Sequence, residues 1–148
     1  MFKIMVDSSF LQALIFKDHP KHELASRMAE NIDDTVYLYM PIYELNKLFD
    51  DINNIRDEKT RKLFDTICCS TRNITEISRK TQKKAYSFFE SNQCLSYEEC
   101  LTVVLMKLND MRYIISFNEN YDEVKQVVRL FDLDKYNNKR LNFFRYVE

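Results

Sequence analysis

The feature that most restricts the fold of this 148-residue chain is that it contains no glycine. Glycine takes positive φ without a steric cost and lets the backbone approach a ligand closely. The Walker phosphate loop, the dinucleotide-binding fingerprint and the nucleophile elbow of α/β hydrolases all depend on glycine at fixed positions. The sequence therefore excludes these three kinds of site.

Composition predicts one domain, spanning 1–148, with a sizeable core, because 45% of the residues are hydrophobic. The 22 basic and 23 acidic residues nearly cancel, so any contact with nucleic acid must come from a local patch. The chain has no apolar run of membrane-spanning length and no signal-peptide pattern. We therefore expect a cytoplasmic protein with no membrane segment.

Short apolar runs alternate with segments of helical spacing along the chain, which indicates an α/β protein. We predict strands at 4–6, 36–40, 72–77 and 113–117, and helices at 10–15, 24–31, 42–52, 56–70, 85–89, 100–108 and 124–131. Pro41 suits the first position of the helix that follows the second strand. The segment 140–147 alternates enough to form an edge strand, and its aromatic residues would alternatively cover a dimer face.

Asp7 follows the first predicted strand directly, and helical spacing resumes at Phe10. It therefore sits at the carboxyl end of a strand, the edge at which parallel sheets bind ligands. The alternative is that Asp7 only caps the next helix, as Ser8 or Ser9 would also do.

Glu44 and Glu99 are two further acids for which the pattern predicts the same edge of the sheet. Glu44 lies in the first turn of the helix after the second strand, where it also complements the helix dipole. Ser96 and Glu99 have the spacing of a capping box. Their helix leads into the strand at 113–117 and must run antiparallel to it, so its first turn lies at the carboxyl edge.

These three acids converge from distant parts of the sequence, and the polar loop 118–122 follows the last strand at the same edge. Clustered carboxylates repel each other unless cations neutralise them. An oxygen-rich site with few nitrogen or sulfur ligands suits Mg²⁺ or Mn²⁺. Such ions commonly serve phosphoryl chemistry, in which they activate a water and stabilise charge on the phosphate.

The remaining motifs are less specific. The chain has two histidines, in one short stretch, which makes a catalytic triad hard to build. The four cysteines have no zinc spacing, and we expect them to be reduced and mostly in the core. The densest basic run would contact the phosphates of a nucleic acid or form a solvated helix face; its cations are Arg79, Lys80, Lys83 and Lys84.

The order of these motifs resembles the PIN domain, many small members of which are VapC-type toxin ribonucleases. The resemblance is carried by Asp7-Ser8-Ser9, by the Glu in Pro41-Ile42-Tyr43-Glu44, by the acid that opens the late apolar helix and by the stretch 115–121. It covers nearly the whole chain, roughly 2–131, although each motif is short. It implies an α/β/α sandwich with a central, mostly parallel sheet, RNA cleavage dependent on Mg²⁺ or Mn²⁺, and often a homodimer paired with an antitoxin.

Carried over residue by residue, Asp7, Glu44 and Glu99 match the first three acids of the family and become the expected metal ligands and catalytic residues. Ser9 and Ser116 match supporting positions. The chain departs from the pattern in two ways: its third acid is Glu where Asp is usual, and Asn118 and Asn120 stand where the last motif of the family has acids. Asn118 still offers a neutral oxygen, and Glu119 or Asp122 would supply an additional ligand. The alternative is a degenerate PIN-like module that binds RNA or protein without cleavage.

Overall fold

The computed structural model describes residues 2–32, 36–52 and 57–132. Helices and strands alternate along these residues much as the sequence predicts. Their bounds are β1 Phe2–Val6, α1 Ser8–Ile15, α2 His22–Glu30, β2 Val36–Pro41, α3 Ile42–Ile52, α4 Glu58–Ser70, β3 Thr71–Ile74, α5 Arg79–Ser91, α6 Tyr97–Leu108, β4 Tyr113–Ile115, a short 3-10 helix Glu119–Glu123 and β5 Val128–Leu130.

The five strands form one sheet in the order β3-β2-β1-β4-β5, and every pairing between neighbours is parallel. β1 lies at the centre, where Ile4 is in register with Leu38 on one side and Tyr113 on the other. A central parallel strand is covered on both faces, which explains why the side chains from Ile4 to Val6 are wholly buried. Because the strands are parallel, their carboxyl ends meet at a single edge.

One apolar cluster packs on each face of the sheet, which gives three layers. Successive side chains of a strand point to opposite faces, so Ile4 and Val6 pack against α1 to α4 while Met5 packs against α5 and α6. Helix α6 is buried on all sides from Cys100 to Met106, as expected for a helix that is apolar all round. The α/β/α architecture follows from this division.

The end of α6 shows how a chain without glycine makes a left-handed turn. Asp110 has φ 55°, and it is the one residue with positive φ in the described parts of the chain. Its N–H donates to the carbonyl of Lys107, and the N–H of Met111 donates to the carbonyl of Met106. These two bonds form a Schellman motif, and Asp tolerates the left-handed conformation better than most residues.

Several predicted boundaries are wrong. The segment 124–131 is not a helix, because it follows the 3-10 helix and supplies edge strand β5, which pairs with β4; its β-branched valines suit a strand. β3 ends at Ile74, three residues before its predicted end, and Pro41 closes β2 instead of opening α3. The predicted strand at 140–147 lies outside the described residues.

Two further observations concern the cysteines and the membrane. All four cysteines are free, as expected, but they are not mostly in the core, because Cys69 and Cys94 are exposed and Cys100 alone is fully buried. Within the described residues, no helix combines the length and the apolar content needed to cross a membrane.

Candidate functional site

Asp7 caps α1 from the carboxyl end of β1, so the predicted cap is present. Its Oδ1 accepts hydrogen bonds from the N–H groups of Ser9 (3.1 Å) and Phe10 (3.3 Å) and from the Ser9 hydroxyl (2.6 Å). Its Oδ2 accepts from the hydroxyl of Ser116, which is wholly buried. The Asp7 side chain is held in one orientation by these donors.

Burial makes Asp7 more than a cap. Only 4% of the residue is exposed, and this desolvation raises the pKa of its carboxyl from 3.8 to about 6, against the hydrogen bonds from Ser116 and Ser9 and with a contribution from the charge of Glu44. No cationic side chain of the described residues forms an ion pair with Asp7. A buried carboxyl group with a raised pKa and no cationic partner is a candidate functional group.

Glu44 lies in the first turn of α3 and is also buried, with 5% exposed. Its Oε2 accepts from the N–H of Ser8 at 2.9 Å, which ties α3 to the start of α1. Its Oε1 lies 3.3 Å from Nζ of Lys47, and the same ammonium lies 2.6 Å from Oε1 of Glu98. Lys47 therefore bridges two acids of this edge.

The bridging lysine was missed by the sequence analysis. Burial alone would lower the pKa of Lys47, but the hydrogen bond to Glu98 and the charges of Glu44 and Glu98 outweigh it and raise that pKa. The available signal was its position three residues after Glu44 on a helix, a spacing at which opposite charges pair.

Glu99 performs the capping-box role predicted for it. Its Oε1 accepts from the N–H of Ser96 at 2.7 Å while the Ser96 hydroxyl accepts from the N–H of Glu99. Its Oε2 accepts from the side-chain amides of Asn118 (2.6 Å) and Asn120 (3.1 Å). Burial alone would raise the pKa of Glu99, but these hydrogen bonds outweigh it and hold the pKa below its usual range.

A chain of hydrogen bonds connects Glu99 to Asp7. The Ser116 hydroxyl donates to Asp7 and accepts from the N–H of Asn118 at 2.9 Å, and the Asn118 amide donates to Glu99. Ser9 joins the same network by accepting from the N–H of Phe117 at 3.0 Å. The three predicted acids thus lie along one edge, with the charge of Glu44 acting on Asp7 and Glu99 joined to Asp7 through Ser116 and Asn118. We call this edge the carboxylate rim.

The half-buried Tyr43 and the fully buried Thr102 form a second hydrogen-bonded unit beside the rim, and the sequence analysis missed both. The hydroxyl of Tyr43 lies 2.6 Å from that of Thr102, which donates to the carbonyl of Glu98. Burial raises the pKa of Tyr43, with the charges of Glu44 and Glu98 adding to the rise. Their positions within apolar stretches gave no sign of a polar contact.

Glu119 and Asp122, the two additional ligands considered from sequence, differ in their surroundings. Glu119 is exposed at the start of the 3-10 helix. Both carboxylate oxygens of Asp122 accept from the Arg129 guanidinium, at 2.9 and 2.8 Å. Since this bidentate pair engages both oxygens, a metal ion at Asp122 would have to compete with the Arg129 guanidinium.

The basic residues of the run at 79–84 all lie on α5 and are exposed. Such positions are open both to solvent and to phosphates, so exposure alone does not separate the two interpretations.

The rim fits a divalent cation in its donor chemistry. Carboxylate oxygens are what Mg²⁺ and Mn²⁺ prefer, and a cation beside Asp7 would offset the cost of burying its charge. Among the described residues, however, no three His, Cys, Asp or Glu side chains already surround one point. Side-chain rotation would therefore have to accompany binding.

The parallel sheet, its strand order and the helices on both faces define a PIN-like α/β/α fold. The solved structures that resemble it include VapC toxins. A VapC toxin from Mycobacterium tuberculosis, described as cleaving the sarcin-ricin loop, matches with a TM-score of 0.67 at 15% identity over 82% of this chain and 95% of its own.

Two complexes match about as well. VapBC2 of Rickettsia felis, bound to a promoter DNA fragment, has a TM-score of 0.66 at 11% identity, and a toxin–antitoxin complex from Klebsiella pneumoniae has 0.65 at 12%. Each alignment covers 87% of this chain and 98% of the other. No protein-family model matches the sequence, and a search of curated proteins returned no match. The likeness therefore concerns the fold.

Proposed function

We propose that this chain is an endoribonuclease that hydrolyses RNA phosphodiesters with the help of Mg²⁺ or Mn²⁺ held at the carboxylate rim. The observation that carries the proposal is Asp7, a buried carboxylate without a cationic partner among the described residues, beside Glu44, which is also buried. Folds do not determine function, but acids in this arrangement suit cation-assisted phosphoryl chemistry.

The residues that would hold the ion are Asp7, Glu44 and Glu99, with Asn118 offering its amide oxygen. A bound ion would lower the pKa of a coordinated water and stabilise the charge that builds on the phosphate. Ser9 and Ser116 orient the Asp7 carboxylate through their hydroxyls. Asn118 brings no charge, so the rim is less negative than one with a fourth acid.

Lys47 also acts in this proposal. Its ammonium partly neutralises Glu44 and Glu98 when no metal is present, which reduces their mutual repulsion. A divalent ion at Glu44 competes with this lysine, so we expect weaker metal binding than an all-acid rim would give.

The same contacts favour a second candidate, a PIN-like module that binds RNA or protein without cleavage. Lys47 already neutralises part of the rim, and the amides of Asn118 and Asn120 already satisfy Glu99. Under this hypothesis the acids serve packing and capping alone.

The toxin–antitoxin complexes among the structural neighbours support a further part of the proposal. In it, the chain is the toxin of such a pair, acts in the cytoplasm as a homodimer and is held inactive by an antitoxin protein. Co-purification of the chain with the product of an adjacent gene tests the pairing.

A cleavage assay separates the two candidates. Labelled RNA is incubated with the protein in Mn²⁺ or in EDTA, and the same is done with Glu44→Gln and with Glu58→Gln, which changes an exposed acid of α4. The nuclease proposal expects cleavage in Mn²⁺ alone, lost in Glu44→Gln and kept in Glu58→Gln. If the RNA stays intact in every sample although the protein binds it, the second candidate is favoured.

A further inference from the structure

Helix α5 exposes two aromatic side chains that no packing requirement explains. Tyr86 is 55% exposed and Phe89, one turn further along, is 37% exposed. Their ring centroids lie 6.0 Å apart, and Phe89 meets the ring of Tyr97 edge-on at 6.3 Å. We call Tyr86, Phe89 and Tyr97 the aromatic row. Adjacent exposed rings of this kind mark interaction surfaces.

Positive charge flanks the aromatic row. Arg79, Lys83 and Tyr86 are spaced four and three residues apart on α5, so they share one face of the helix. With Gln82 and Ser87 they line a surface depression of about 450 Å³. In the described part of the chain, none of the four cations of the run at 79–84 forms an ion pair. This surface therefore presents cations that are open to an anionic partner.

The aromatic row ends at the carboxylate rim. Tyr97 opens α6, and its hydroxyl donates to the carbonyl of Gln82 on α5 at 3.4 Å. The next two residues of α6 are Glu98, which pairs with Lys47, and Glu99, which belongs to the rim. A chain molecule that lies along the row therefore reaches the acids without leaving the surface.

The acids of the rim repel phosphates, so affinity for RNA must come from elsewhere on the protein. Aromatic rings on which bases stack, beside cations that follow the backbone, are the general means of binding single-stranded nucleic acid. A duplex keeps its base faces stacked inside and cannot use such rings. An acidic peptide would use the cations but would not need the row of rings.

We propose that Arg79, Lys83 and the aromatic row bind single-stranded RNA and present it to the carboxylate rim. The proposal rests on the proposed RNA-directed function and names its substrate class. Bases stack on Tyr86 and Phe89, while Arg79 and Lys83 contact the phosphates.

Binding is measured by fluorescence anisotropy of a labelled 12-nucleotide RNA in EDTA, where the proposed cleavage cannot occur. Tyr86→Ala is expected to raise Kd about tenfold, because stacking on one ring contributes this order of affinity. Lys83→Ala is expected to raise Kd and to reduce the slope of log K against log salt by about 0.7. Tyr86→Phe, which keeps the ring, and Lys62→Ala, at an exposed position of α4, are expected to leave Kd unchanged. A duplex of the same sequence is expected to bind more weakly.

Three results would overturn the proposal: unchanged Kd in both Tyr86→Ala and Lys83→Ala, equal affinity for duplex, or loss of self-association in Tyr86→Ala at unchanged Kd. The last would identify the row as a contact between copies. The binding assay needs no metal, so it is independent of cleavage. If the protein binds RNA through the aromatic row but never cleaves it, the nuclease proposal alone is contradicted. If the protein cleaves RNA but neither Tyr86→Ala nor Lys83→Ala changes Kd or the cleavage rate, the proposal for the aromatic row alone is contradicted.

Discussion

Replacing Asp7 by Asn should make the metal-free protein more stable above pH 6, although it removes a residue that we place at the site. The Asn Oδ1 still accepts from the N–H groups of Ser9 and Phe10, so the cap of α1 is kept. What is lost is the Oδ2 acceptor of the Ser116 hydroxyl and a negative charge with 4% exposure beside Glu44. Burial of such a charge without a cation is unfavourable.

The size and sign of the effect follow from the raised pKa. Folding moves the pKa of Asp7 from 3.8 to about 6, so between these values the folded state binds more protons than the unfolded state and stability falls as pH rises. The shift corresponds to a loss of about 3 kcal/mol in the free energy of unfolding. This loss is complete above pH 6 and absent below pH 3.8. Asp7→Asn should therefore gain about this much at pH 8 and almost nothing at pH 4.

Urea denaturation followed by circular dichroism in EDTA, at pH 4, 6 and 8, measures the difference. Asp57→Asn is a matched control, because Asp57 also caps a helix by accepting from Thr60 but is exposed and has a lowered pKa. It should show no gain at pH 8. If Asp7→Asn were less stable than the unmutated protein at pH 8, or if its effect were the same at pH 4, Asp7 would be a cap and no more.

Three other substitutions test separate parts of the structure. Lys47→Met should lower the free energy of unfolding by at least about 1 kcal/mol, since the pair with Glu98 is half-exposed but the buried Glu44 also loses its cation. It should tighten Mn²⁺ binding in calorimetry; weaker Mn²⁺ binding would contradict the proposed competition. Asn118→Asp should likewise tighten Mn²⁺ binding but destabilise the metal-free protein by placing a second negative charge beside Glu99. In thermal melts the variant should therefore unfold below the unmutated protein without Mn²⁺ and above it with Mn²⁺. Asp110→Gly should stabilise the protein by about 1 kcal/mol in urea, because glycine adopts positive φ without a steric cost, whereas Asp110→Ala should not.

The sequence predicted those parts of the fold that depend on local pattern. The apolar run before Asp7 and the apolar content of α6 identified the central strand and the most buried helix, and the spacing of Ser96 and Glu99 identified a capping box that is present. The placement of Asp7, Glu44 and Glu99 along one edge followed from the rule that parallel strands end at the same edge of a sheet.

What the sequence could not give depends on contacts between distant residues. The valines near 128 have both helical and strand interpretations, and pairing with β4 decides between them. The bridge from Lys47 to Glu98 spans two helices, and the Arg129 guanidinium that pairs with Asp122 comes from a strand that was predicted as a helix. Side-chain pairing across elements leaves no periodic signal.

The central claim is that the carboxylate rim binds a divalent ion that RNA cleavage requires. The most direct test is calorimetry with Mn²⁺ on the unmutated protein and on Asp7→Asn, with an RNA cleavage assay on the same samples. The account predicts that the unmutated protein binds Mn²⁺ and cleaves RNA, and that both are lost together in Asp7→Asn while the variant remains folded. Absence of Mn²⁺ binding at millimolar concentration, with RNA left intact by the unmutated protein, would contradict it.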